Sequence, residues 1–172
     1  MAERRRATID ESWLAVAQEV AKRSRCVRSQ VGCVIVDKQN RVVATGYNGP
    51  AADWDPSRYI GTGDHGLPDA MMCDSFCPRA LDGAVPASYD GCVAIHAEAN
   101  ALLTSDRRHR ESGTLYTTRV PCLDCAKLIC NSGVERVVCG PAPEGYPDEV
   151  YTAIEQGVTL MKQCLIAVLR LQ

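Results

Sequence analysis

Four side chains in two short stretches carry the chemistry. "CVAIHAEANALL" holds His96 and Glu98, and "TRVPCLDCAKLICNSG" holds Cys122 and Cys125. A neutral imidazole and two thiolates are borderline-soft donors, and three of them suit zinc. Cys122 and Cys125 can grip one ion from a single helical turn. Pro121 suits a helix start, where the dipole favours thiolates. Three protein ligands leave a fourth position open, as in a catalytic zinc site. Water held there falls in pKa from about 16 towards about 7. Glu98, beside His96, can take that proton and hand it to a leaving nitrogen. Taken singly, these are a core histidine, a solvated glutamate and two small buried hydrophobes. As a set they form a two-part signature far more specific than a lone motif.

Elements must position this set. "DESWLAVAQEVAKRS" has apolar residues at helical spacing behind an N-cap candidate, Asp10. "VGCVIVD" and "RVVATGYN" are short β-branched runs that read as a hairpin. After an irregular stretch come a helix at "HAEANALLTSD", a strand at "GTLYTT" and a helix at "CLDCAKLICNSG". "VERVVCG" reads as a strand, "PDEVYTAIEQG" as a helix capped by Gly157, and "VTLMKQ" as a last strand. Strands alternating with helices imply crossovers and a partly parallel sheet with helices on its faces.

The 172-residue chain, 46% hydrophobic and 23% charged, reads as one globular domain, 1–172. A net charge of -2 argues against a nucleic acid polymer as partner, though not against a mononucleotide held by a few cations. The opening "MAERRRATIDESW" has no apolar run behind it, and no apolar stretch reaches membrane-spanning length. No membrane is therefore expected. The ten cysteines are expected in a reducing, cytoplasmic setting, as metal ligands or free thiols rather than five disulfides.

The chain resembles the deoxycytidylate (dCMP) deaminases of the zinc-dependent cytidine/deoxycytidylate deaminase superfamily. The motifs "HAE" and "PCLDC" carry the superfamily signature; "CVRSQVGCVIV", "ATGYNGP", "HAEANALL" and "YPDE" carry the dCMP branch. The resemblance implies a cytidine-deaminase-like three-layer α/β/α sandwich with a mixed central sheet of about five strands. It implies hydrolysis of dCMP to dUMP and ammonia, supplying dUMP for thymidylate synthesis. Glu98 would move the protons, with a catalytic Zn2+ on His96, Cys122 and Cys125. The implied assembly is a homo-oligomer, with a hexamer as one size. Arg28 matches a position near the active-site edge and is expected at the 5′-phosphate. Asn48 corresponds to a sugar- or phosphate-contacting asparagine, while reading equally as a hairpin end. Tyr146 falls in a segment that closes over the base, while reading equally as packing at a helix start. Arg107 lies near the subunit contacts and dCTP site of regulated relatives. "DRRHR", with His109, is also an ordinary solvated helix end, so dCTP and dTTP as effectors stay open.

The stretch about 49–91 is too long for a passive connection. Cys73, Cys77 and Cys92 lie in or beside it, and Cys26 matches a ligand of the second, structural zinc of some relatives. These four are expected to staple the insertion, with His65 as a substitute fourth ligand. Cys33, Cys130, Cys139 and Cys164 are expected in the core. Two rival readings are a deaminase of another cytosine compound or related nucleotide and a non-catalytic zinc-binding assembly module.

Overall fold

In the computed structural model of the chain, the described residues are 5–26, 28–51, 92–142 and 144–171. Cys73, Cys77 and His65 lie outside them.

Strand β1 (Gly32–Val36) is a continuous run of small and β-branched residues buried on both faces. It pairs antiparallel with β2 (Val42–Tyr47) and with β5 (Thr114–Thr117). Strands β6 (Arg136–Cys139) and β7 (Ala167–Arg170) continue in parallel, giving the order β2-β1-β5-β6-β7. A short pair, β3 (Gly49–Pro50) and β4 (Ala94–Ile95), precedes His96.

Alternation along the strands builds two cores. Val34, Val36, Tyr116 and Val138 face helix α1 (Ile9–Ala21), which contributes Ala17, Trp13 and Val20. Cys33, Ile35, Leu115, Val137 and Cys139 face the other way. There they meet α2 (Ala97–Leu103), α4 (Leu123–Cys130) and α5 (Asp148–Gln163). One short helix, α3 (Arg107–Arg110), links α2 to β5. The result is a three-layer α/β/α sandwich with a mixed five-stranded sheet.

Three local expectations are corrected. The N-cap of α1 is Thr8, not Asp10. Thr8 and Glu11 form a reciprocal capping box, in which Glu11 N donates to Thr8 Oγ1 at 3.2 Å and Thr8 N to Glu11 Oε2 at 2.7 Å. Asp10 instead accepts from Arg136 on β6 (2.7 and 2.6 Å) and from the Tyr116 hydroxyl (2.9 Å).

"VTLMKQ" is helix, not strand, because α5 runs straight through Gly157. Ile154, Val158 and Met161 form one buried stripe at helical spacing. Gly157 sits where α5 crosses α4: a Cβ there would lie 3.3 Å from both Ala126 Cβ and Leu123 Cα. The helix ends at Gln163, and two residues on Leu165 takes a left-handed φ of 61°. Ile166 N donates to Met161 O and Leu165 N to Lys162 O, both at 3.0 Å, which is a Schellman closure without glycine.

Cys33 and Cys139 are core residues, but Cys130 is half-buried and Cys164, at the end of α5, is exposed.

Candidate active site

The sheet gathers the candidate residues at one end. β1 and β2 are antiparallel, so the chain enters β1 beside the point where it leaves β2. That end also holds the carboxyl ends of β5 and β6. Residues after β5 lead to Cys122, those after β6 to Tyr146, and those before β1 include Arg28.

His96 is the N-cap of α2 and Cys122 the N-cap of α4, each in extended backbone with no side-chain capping bond. Their side chains are therefore not occupied in closing their own helices. Cys125 lies in the first turn of α4. His96 Nδ1 is 3.4 Å from Cys122 Sγ and 3.4 Å from Cys125 Sγ. The three donor atoms lie within 4.8 Å of one another. Ordinary Zn–S and Zn–N bonds at a tetrahedral angle put sulfur and nitrogen about 3.6 Å apart. Donor types and spacing thus fit zinc. Cys122 is pulled down to about 4, first by its hydrogen bond with Cys125 and then by His96, against its burial. Cys125 is pushed up by Cys122, by burial and by Glu98. The pKa of His96 is raised, chiefly by its hydrogen bond to Cys122.

Glu98 is 4% exposed. Burial raises its pKa, with the charge on His96 opposing. Its Oε2 is 3.6 Å from Cys125 Sγ, and its Oε1 accepts from the Thr117 hydroxyl at 3.3 Å. The carboxyl group therefore touches the ligand cluster on one side and the sheet on the other. Thr117 has no counterpart in the sequence reading. "TLYTT" says strand, but only the register with β1 and β6 tells which threonine faces α2.

Close contacts set this geometry. A Cβ at Gly46 of β2 would lie 2.2 Å from Ala97 O and 2.5 Å from Ala101 N. Only glycine lets α2 rest on the strand there. Asn100 Nδ2 donates to Tyr47 O at 2.8 Å and ties the same helix to the same strand.

Asn48 is 7% exposed, and its amide is engaged within the chain. Its Oδ1 accepts from Val31 N and its Nδ2 donates to Ser29 O, both at 2.8 Å. Its carbonyl accepts from Ser24 Oγ at 2.8 Å. Asn48 therefore clamps the loop that carries the half-buried Arg28. Tyr146 is half-buried in the segment before α5. Arg107 donates to Asn131 O at 3.1 Å, and His109 is exposed. Cys26 and Cys92 are half-buried free thiols on either side of the insertion.

Residues 7–141 match the profile described as the cytidine and deoxycytidylate deaminase zinc-binding region. The chain belongs to that family. The deoxycytidylate deaminase of Mycobacterium phage D29 is 47% identical over 135 residues, covering 75% of this chain and 91% of the phage protein. That of Schizosaccharomyces pombe is 37% identical over 130 residues, 75% of this chain but 36% of the yeast protein. For Homo sapiens the values are 33% over 128 residues, 74% and 62%. The chain thus spans most of the phage deaminase but less than two thirds of these eukaryotic ones. Among solved structures, the dCMP deaminase of cyanophage S-TIM5 in complex with dCMP and dUMP superposes with a TM-score of 0.64 at 23% identity. That match covers 98% of this chain and 100% of the cyanophage chain, and it shows the deaminase fold. Among the described residues no helix is long and apolar enough to cross a membrane.

Proposed function

We propose that this chain hydrolyses dCMP to dUMP and ammonia. One observation carries the reading: a buried carboxylate, Glu98, touches a His–Cys–Cys cluster of zinc-binding spacing. The family and the phage D29 relative point to the same substrate. An assembly module has no use for a desolvated carboxylate beside a three-ligand site.

A zinc ion held by His96, Cys122 and Cys125 supplies a Lewis acid that makes water acidic near neutral pH. Glu98 accepts one proton of the attacking water and passes it to N3, then takes the second from the hydroxyl added at C4 and passes it to the amino group, which departs as ammonia as the C4 carbonyl forms. Burial keeps bulk water from competing for that proton. Arg28 binds the 5′-phosphate as a charge-assisted donor. Asn48 serves by fixing the Arg28 loop, and Tyr146 lays its ring on the base.

A second zinc belongs to Cys26, Cys73, Cys77 and Cys92; two zinc ions per chain are expected on metal analysis, and one would refute it. A homo-oligomer, up to a hexamer, and dCTP or dTTP as effectors rest on the resemblance. Sedimentation and rates with and without each nucleotide check them. The cysteine content fits a cytoplasmic protein.

Purified protein should release ammonia from dCMP, and Glu98→Gln should keep zinc while losing about a hundredfold or more in turnover. A wild-type protein with full zinc and no ammonia release would overturn the reading. So would an E98Q variant of near-normal rate.

A further inference from the structure

We propose that Thr117 is a positioning residue that fixes the orientation of Glu98. Its hydroxyl holds one carboxyl oxygen against the sheet so that the other faces the ligand cluster. The proposal rests on the reading of Glu98 as the proton carrier.

β5 alternates, so Thr117 faces the same way as Leu115, towards α2 and α4. Register places it opposite Cys33 of β1 and opposite Cys139 of β6. All three are 0% exposed and form a row across the three inner strands at the candidate-site end of the sheet. Glu98 reaches this row at its middle member, Thr117. A β-branched apolar side chain would fill the central position as well as threonine does. What threonine adds is a hydroxyl, and a buried hydroxyl without a partner is costly. Its partner is Glu98 Oε1 at 3.3 Å.

The other oxygen, Oε2, faces Cys125 Sγ at 3.6 Å. A thiolate that ligates a metal has no proton to donate. Thr117 is then the side-chain donor that remains to Glu98 among the described residues. A general base works only when held within about half an ångström of its productive position. A glutamate carboxylate, carried on three rotatable bonds of which the last is only loosely restrained, needs such an anchor.

The test compares wild type, T117V and T117S, each with zinc content measured. T117V should keep its zinc and its KM for dCMP while kcat falls on the order of ten- to a hundredfold, the scale of a hydrogen bond to a charged group. T117S, which restores the hydroxyl, should recover most of that loss. Difference infrared spectra of the metal-free proteins, with glutamate carboxyl groups isotope-labelled, should show a carboxyl band displaced in T117V and not in T117S. If T117V does not fold, T117A takes its place with the same expectations. A T117V rate within about twofold of wild type at full zinc would overturn the proposal. Equal impairment of T117S, or an unmoved carboxyl band, would do the same. Absence of dCMP turnover in the wild type itself would instead strike the functional reading, so the two failures are distinguishable.

Discussion

Single side chains divide here into those proposed to meet substrate and those that hold others in place. Arg28 and Asn48 illustrate the division. Asn48 makes its amide bonds to Val31 and Ser29 inside the chain, and Arg28 rides on the loop so fixed. Arg28→Ala should lower kcat/KM for dCMP by about tenfold or more, the worth of one charge-assisted contact, and leave deoxycytidine nearly unaffected. Asn48→Ala should lower stability by about 1–3 kcal/mol, because it strands buried backbone groups. It should also lower the dCMP rate through the loop. Parallel losses on both substrates in Arg28→Ala would assign that side chain to structure. That His96, Glu98, Cys122 and Cys125 come together was legible in the sequence because metal-ligand and proton-carrier types stand there at a diagnostic spacing. Thr117 was not, because its meaning depends on strand register.

At the scale of elements, the decisive contact is that of α2 with β2. Gly46 leaves no room for a methyl group, since the carbonyl of Ala97 and the amide of Ala101 occupy its place. Gly46→Ala should therefore push α2 off the sheet and cost about 1–3 kcal/mol, as overpacking does. His96 and Glu98 sit at the start of α2, so zinc affinity and turnover should fall together. Urea unfolding and metal titration check both, and a stable variant with normal zinc binding would contradict this account. Legibility at this scale was uneven. Strands β1, β2, β5 and β6 and the two ligand helices followed from β-branched runs and helical spacing, whereas β7 lies beyond the segment read as the last strand. The last helix was cut short because Gly157 looked like a stop signal, whereas it marks a helix crossing. The real stop is at Leu165, a residue with no turn signature, held in a left-handed conformation by the carbonyls it closes on. The true cap of α1 was hidden because Thr8 and Asp10 are both good caps, and only tertiary structure shows Asp10 spoken for.

Across the whole molecule, the Asp10–Arg136–Tyr116 cluster joins the outer helix layer to the sheet. The Arg136 guanidinium holds the Asp10 carboxyl below its ordinary pKa, and the Tyr116 hydroxyl helps; burial works the other way. A carboxyl with a depressed folded-state pKa stabilises the fold fully above its unfolded value of about 3.9. That stabilisation disappears as pH falls through the lower, folded value. Asp10→Asn should cost about 1 kcal/mol at neutral pH, discounted because both partners are partly exposed. The gap between variant and wild type in urea midpoint should close as the pH drops below about 4. A gap that persists in acid would assign the loss to packing. Glu98 rests on β5, which is paired on both sides, while β7 at the rim is paired on one side and largely exposed. Backbone amides beneath the Glu98 carboxyl should be among the last to exchange with heavy water, and those of the final strand among the first. Fraying or nicking of the C-terminal strand would then be a poor proxy for inactivation, because the chemistry is anchored in the part of the fold that opens last.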